Sequence, residues 1–415
     1  MIRSLSLSLL LLLAWFISAP VIDARPALAP VTYHVATNGS DSDPGTDSKP
    51  FRTIQKAVNM ARPGDSILVH AGVYREAVEI RQSGTAAARI QLTSAGSDKA
   101  IIQPTLGRRS CSQTSPARDR AIEVLYGTDY WTISNLVIDG GVLISGNNIR
   151  NLDRHIKDRR LPGRSSYDPS ASSRLLESVG VNGADYIQLV GNEITGRGVM
   201  TMAARYGWIK SNEIHDIDCG TGAAVWINRF SDGWQITDNY IHDVGASDQH
   251  YMEEGIRQGS GSSYNVVANN LIENLAGRGR GITTDVYASW NLIQGNTVRR
   301  ADQGFNEQYG GWGNQWVGNL AESNRKHGIN IYGQGGKLTS PNEGVPALTQ
   351  VRCNVSRNNG DHNMHIGAVQ QGTFKTNAVG DVWVSPRLEE YWKRVGDTWD
   401  GSSSPPPENP PARFC

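Results

Sequence analysis

Between Glu254 and Tyr332 one short pattern of apolar and polar positions is written four times. The copies are Glu254-Gly-Ile-Arg257-Gln, Arg280-Gly-Ile-Thr283-Thr-Asp285, Gln303-Gly-Phe-Asn306-Glu307 and His327-Gly-Ile-Asn330-Ile-Tyr332. Each sets a glycine, an apolar residue and a variable polar residue in the same order. Apolar positions that repeat in this way predict strands that stack. In a parallel stack spaced about 4.8 Å apart, the variable polar residues fall into one outer column. That column holds Arg257, Thr283, Asn306 and Asn330, with Asp285 and Tyr332 two residues further on and Glu254, Arg280 and His327 at the turn before the glycine. By the same parity Glu307 points inward, beside Gln258 and Thr284.

A second pattern extends the stack. Apolar strands ending in asparagine recur at Asn192, Asn212, Asn239, Asn270, Asn296, Asn319, Asn354 and Asn377, spaced 20, 27, 31, 26, 23, 35 and 23 residues apart. This is the period of a solenoid coil with loops of varying length, and about nine such coils are expected. An asparagine in every coil suits a stacked amide ladder inside a bend, in a backbone geometry that asparagine itself tolerates. Earlier coils show at Ile90-Gln-Leu, Ile101-Ile-Gln and Trp131-Thr-Ile-Ser-Asn135.

The ends differ. Phe51, Ile54, Ala57, Val58 and Ala61 form one face of a short helix stopped by Pro63-Gly64, inside an N-terminal cap over residues 31–80. Leu388, Tyr391, Trp392 and Val395 predict a short helix within a C-terminal cap at 383–400, with Trp383 and Trp399 assigned to its core. The runs ATNGSDSDPGTDSKPFRTIQKAV and ARPGDSILVHAGVYRE resemble the N-terminal cap and first coil of secreted right-handed parallel β-helix proteins. That group includes pectate-lyase-like polysaccharide lyases and several glycoside hydrolase families. The resemblance implies an all-β fold, a right-handed parallel β-helix with a helical cap at each end. It marks architecture more sharply than activity.

Composition narrows the setting. The 415 residues include 45 glycines and only 38% apolar residues, as a turn-rich β protein would. Residues 1–29, with Arg3 and an apolar run from Leu5 to Phe16, read as a signal peptide. A secreted or periplasmic protein with no membrane span after cleavage is therefore expected. Cys111, Cys219, Cys353 and Cys415 then favour disulfides, with Cys415 following the Pro/Ser-rich tail 401–415. Lysine and arginine balance aspartate and glutamate at 40 each, yet insertions at 104–121 and 145–175 carry an excess of seven positive charges. Such a local excess can attract an acidic polymer. Nothing in the sequence matches a nucleic-acid-binding motif.

The chemistry is sought on the repeated face. Arg257 and Arg280 are forked donors able to clamp a carboxylate, or to pair with Glu254 and Asp285. His327 is a candidate base and Tyr332 a candidate acid. The expected activity is a polysaccharide lyase cleaving an acidic, uronate-containing polysaccharide by β-elimination. A glycoside hydrolase using Asp285, Glu307 and Glu254 is the alternative. A non-catalytic glycan-binding or surface protein is a further one. Trp226, Thr283, Asn306, Asn330 and His365 are the candidate substrate contacts. The segment from Glu254 to Ser260 also resembles part of the alginate-lyase and chondroitinase B group, but the following coils lack that group's lysine and arginine. No metal site is assigned, although a divalent cation such as Ca²⁺ is compatible with the fold, and a monomer is expected.

Overall fold

A computed structural model of the chain describes residues 29–104, 120–152, 167–217, 223–245, 253–333 and 345–386. All but the last residue of the expected signal peptide, most of the first insertion, residues 153–166 of the second, the expected C-terminal helix, the tail, and Cys111, Cys219 and Cys415 lie outside the described residues. Cys353 is disulfide-bonded.

The repeats build a right-handed parallel β-helix. Three sheets run its length, with 12, 11 and 11 strands, and every strand pair between successive coils is parallel. The chain visits the sheets in turn: Ser66–Val69 in the first, Gly72–Tyr74 in the second, Val78–Ile80 in the third, then Ile90–Ser94 back in the first. There are more coils than the nine expected, because the cap contributes strands of its own and the loops inside the early coils hide their spacing. Strands of two to five residues alternate one side chain inward and the next outward, so each coil places only a few apolar residues on the axis. Ile236, Val267, Ile293, Trp316 and Val351 form one such inner file and are buried.

The predicted amide ladder runs along the bend between the first and second sheets. Asn270 shows the pattern: its Oδ1 accepts from the backbone N–H of Asn239 at 3.0 Å and from Asn239 Nδ2 at 2.9 Å. Its Nδ2 donates to the Ile236 carbonyl at 2.9 Å and to Asn296 Oδ1 at 2.8 Å. The same pattern runs from Asn192 to Asn377. In each coil the left-handed residue is the one before the ladder asparagine, not the asparagine itself. Gly191, Ser211, Asp238, Asn269, Gly295, Gly318, Cys353 and Thr376 all have φ between 54° and 65°. The sharp bend exposes an amide and a carbonyl inside the coil, and the asparagine side chain of the next coil satisfies both.

The N-terminal helix spans Ile54–Met60, with Thr53 as N-cap accepting from the Lys56 amide and Ile54, Ala57 and Val58 buried. A second helix, Ala171–Ser178, lies partly inside the second insertion. Its Leu175 and Leu176 pack with Leu152, Val181, Ala203 and Phe230 into a small satellite core, so this end of the insertion is folded against the solenoid. Trp383 departs from expectation: it lies on the strand Val382–Val384, 36% exposed, and is not part of a core. Register explains this, because Trp383 pairs with the outward-facing His365.

Asn270→Ala removes four hydrogen bonds and strands donors and acceptors inside the coil, so it should lower unfolding stability by about 2–4 kcal/mol. Lys375→Ala, on the exposed side of its strand, should stay within about 0.5 kcal/mol in the same denaturant titration.

Candidate active site

The third sheet carries the repeated face, and its register is the one the repeats predict. Trp226, Arg257, Thr283, Asn306, Asn330, His365 and Trp383 are consecutive partners across strands and form one outward column. Arg280 pairs with Gln303 in a neighbouring column. Backbone bonds from Gly255 to Arg280, and from Gly304 to His327, carry that column from Glu254 to His327. On the other flank Asp285, Gln308 and Tyr332 follow in successive coils.

These columns line an open cleft of about 390 Å³ walled by Arg257, Arg278, Arg280, Asp285, Asp302, Gln303, Gln308, Tyr309, Lys326 and Tyr332. Its base is an ion cluster around Glu254, which is fully buried. Glu254 Oε2 accepts from Arg257 Nη1 at 2.9 Å, and Oε1 from Arg280 Nη2 at 2.6 Å and Thr283 Oγ1 at 3.1 Å. Arg257 Nη2 also donates to Asp285 Oδ2, and the guanidinium lies 5.7 Å from the centre of the Trp226 ring. Burial would raise the Glu254 pKa, but Arg257 and Arg280 outweigh it and hold the carboxyl below its ordinary range. Burial likewise opposes the charge on Arg257, and Glu254 and Asp285 reverse the effect.

Several candidates therefore change role. Glu254 is sealed beneath the arginines, and Asp285 is 3% exposed and tied to Arg257, so neither is placed to act as a general acid. Arg257 has its ends committed to both carboxylates and orients the cluster, while Arg280 also reaches the cleft wall. Glu307 points inward as its parity requires, but Gln258 and Thr284 are not what satisfies it. Asn314 Nδ2 and Thr349 Oγ1 donate to Oε1 at 2.9 and 3.0 Å, and Trp316 Nε1 donates to Oε2 at 2.8 Å. Burial with no cation beside it pushes its pKa up to about 7, against these three donors. It cannot reach a substrate on the outer face.

Thr283 and Asn306 are fully buried beneath longer neighbours, so they support the floor without forming its surface. Asn306 and Asn330 both donate to Gln303 Oε1, at 2.5 and 2.8 Å, and hold that amide in the cleft wall. Tyr332 donates to Gln308 Oε1, and burial raises its pKa, which keeps the phenol protonated. His327 is half-buried one coil beyond Gln303. Burial, with His362 and Lys326 nearby, lowers its pKa against the pull of Asp361, so the neutral ring is favoured. Its Nδ1 has no hydrogen-bond partner. The rings of His327, His365 and Trp383 stack in sequence at 4.7 and 4.4 Å, and His365 Nδ1 lies 2.8 Å from Asn330 Oδ1. This aromatic file continues the cleft along the helix axis. Gln303 and Lys326 sit in or beside the repeats and were open to sequence reasoning. Arg278, Asp302 and Tyr309 come from turns whose positions only the coil geometry reveals.

Comparison with known proteins agrees with the fold. Residues 33–158 match a family model described as Pel9A-like, right handed beta helix region, and residues 177–343 match one described as right handed beta helix region. An uncharacterized protein of Bacillus subtilis, YwoF, is 24% identical over 228 residues, covering 51% of this chain and 41% of that protein. Pectate lyase PEL9 of Emericella nidulans is 30% identical over 121 residues, covering 28% of this chain and 30% of that enzyme. The chain thus spans less than half the length of either curated relative. Among solved structures, a GH136 lacto-N-biosidase from Eubacterium ramulus superposes with a TM-score of 0.54 at 13% identity, over 85% of this chain and 68% of that one. At that identity the likeness is one of fold.

Arg257→Ala should do more than remove a surface charge. It leaves Glu254 and Asp285 buried without their shared cation, which should cost about 3–5 kcal/mol of stability. Glu254→Gln in the same background should recover part of the loss in a double-mutant cycle. Glu307 supplies a pH test. Its raised pKa means that its contribution is fully present below about 4.5 and is lost as pH rises to about 7. Wild-type stability relative to Glu307→Gln should therefore fall on the order of 3 kcal/mol over that window and level off above it, as read from unfolding at fixed pH values.

Proposed function

We propose that this chain, a pectate-lyase-like right-handed parallel β-helix protein, is a carbohydrate-active enzyme that cleaves an acidic polysaccharide by β-elimination. The observation that carries this reading is the cationic cleft. Arg278, Arg280 and Lys326 line an open groove whose described carboxylates are already bonded to arginine or lysine. A uronate carboxylate is the group such a wall recognises, through charge-assisted and forked bonds.

Elimination needs the uronate carboxylate neutralised so that the C5 proton becomes acidic, then a base at C5 and an acid at the departing O4. Arg280 with Arg278 meets the carboxylate and stabilises the enolate that forms as the proton leaves. His327, held neutral, takes that proton. The C4–O4 bond then breaks as the C4=C5 double bond forms, and Tyr332, held protonated, returns a proton to the leaving oxygen. About 10 Å of backbone separates Arg280 from His327, two coil steps, which suits a sugar lying along the helix axis. The His365 and Trp383 rings would carry the next sugar.

A hydrolase is less well supported on this face. It needs a carboxylic acid with a raised pKa. Glu254 is held ionised, Asp285 is paired with Arg257, and Asp302 lies 3.3 Å from the Lys326 ammonium. Of the candidate carboxyls Glu254, Asp285 and Glu307, Glu307 is the one with a raised pKa, and it faces the coil interior. Pectate lyase PEL9, the partial relative, and the basic insertions are consistent with an acidic polymer.

Purified protein should release products bearing an unsaturated uronate from one member of a panel of polygalacturonate, alginate and glycosaminoglycans, and nothing from neutral glycans. On that substrate Arg280→Ala should lower kcat/KM by roughly 10²–10³-fold. His327→Gln should lower kcat by about 10²-fold or more, with KM little changed. Saturated products by mass spectrometry, binding without turnover, or full activity in both variants would each overturn the assignment.

A further inference from the structure

Far from the cleft, the N-terminal cap brings three metal-ligating side chains to one point. His34 lies on the strand Thr32–Val35, Asp47 in the turn Thr46–Lys49, and His70 directly after the strand Ser66–Val69. His34 Nδ1 is 3.1 Å from His70 Nε2 and 3.3 Å from Asp47 Oδ1, and His70 Nε2 is 3.6 Å from the same oxygen. We infer that His34, Asp47 and His70 form a binding site for a divalent transition metal of the Zn²⁺ type, with the fourth position open to water.

The distances favour this. Ligand atoms about 2.0–2.1 Å from a tetrahedral Zn²⁺ stand roughly 3.3–3.4 Å from one another, and the three separations bracket that edge. Two imidazoles and one carboxylate are the donor set of many three-ligand zinc sites, and imidazole nitrogen selects against Ca²⁺ and Mg²⁺. Without a cation the three atoms must share protons, and one N–H on His34 cannot point well at both His70 and Asp47.

Each ligand is also held by its backbone. The His34 amide donates to Gly45 and its carbonyl accepts from Phe51, at 2.8 and 2.9 Å. His34 pairs with Leu68, so His70, two residues further along, shares its face of the sheet. The His70 amide donates to Val35 at 2.8 Å, and its carbonyl accepts from Tyr74 Oη at 2.8 Å. The turn carrying Asp47 is closed by the Lys49 amide on Thr46, and Asp47 is 78% exposed, so solvent ions reach the site. Residues 13, 23 and 36 apart in sequence-separated segments are thereby tied by one ion, which would staple the cap to the first coil.

The test uses untagged full-length protein, stripped with chelator and titrated with Zn²⁺ by calorimetry, with bound metal counted by elemental analysis. One high-affinity ion per chain is expected. Asp47→Asn, on the exposed turn, and His70→Ala should each weaken it at least tenfold. His242→Ala, in the stacked His215–His242 pair, should leave it unchanged. Co²⁺ should give the intense visible bands of four-coordinate geometry in wild type and lose them in Asp47→Asn. Added Zn²⁺ should raise the melting temperature of wild type and not of Asp47→Asn. Wild-type protein that takes up no Zn²⁺, or uptake that survives both ligand changes, would reduce the cluster to a hydrogen-bonded trio and overturn the site.

Discussion

Register between coils is the constraint on which the rest of this molecule depends, and the asparagine ladder maintains it. A parallel solenoid has no hairpin to set the pairing of one strand against the next, so a slip of one residue would turn a coil's apolar side chains outward. At each bend from the first sheet to the second, a left-handed residue frees an amide and a carbonyl inside the coil, and the asparagine of the next coil bonds both. The amide of the next coil then bonds the first, so each rung specifies where its neighbour must sit. Misplacing one coil would leave buried donors unpaired on both sides, a larger loss than the apolar contacts of a three-residue strand could offset.

Given that register, parity decides which polar side chains meet substrate and which meet the core. Asn306 and Glu307 are adjacent, yet one faces the cleft floor and the other the axis. Two of the buried carboxylates of this region, Glu254 and Glu307, show how environment divides a shared chemistry. Two guanidiniums surround the first and keep it charged, while the second has neutral donors alone and is drawn toward protonation. The charge on Glu254 in turn fixes where Arg257 and Arg280 lie. Arginines anchored from below present their positive charge without the freedom of surface side chains, so little reorganisation is required when an anionic group arrives.

The chain's periodicities made the solenoid, the ladder and the outward column Arg257–Thr283–Asn306–Asn330 legible, because each follows from spacing alone. What they did not convey is what a long side chain does once its Cα is placed. Arg257 and Arg280 were open to two partners, and only the depth of Glu254 decides between them. Thr283 and Asn306 stood in the right column, yet taller neighbours cover them. Trp383 was assigned to a cap core because aromatic residues near a chain end usually close a solenoid, whereas its pairing with His365 turns it outward. The convergence of His34, Asp47 and His70 has no local spacing to announce it, since a strand, a turn and a strand end supply one ligand each.

The position of the cleft follows from the same physics. Ladder rungs run from Asn192 to Asn377, and the cleft residues, from Arg257 to Tyr332, lie wholly within that span. Coils there are held on the first-to-second bend by amide pairs, and a second file, Asn265, Asn291 and Asn314, braces the turn that leads back into the first sheet. The third sheet is bounded by this turn on one side and, on the other, by the bend from the second sheet, where Asn324 and Asn359 make the same kind of bonds, so its outer face can carry charges and close-set rings without supplying the fold's own cohesion. That separation lets a buried ion cluster, costly in an ordinary core, persist where a precise cationic surface is needed. Among the described residues the asparagine ladder begins at Asn192, after the earliest coils. The first of them relies on the cap, where the Ile54–Met60 helix covers the open end, and a metal bound by His34, Asp47 and His70 would fasten the cap's own strands at the one end the ladder does not reach.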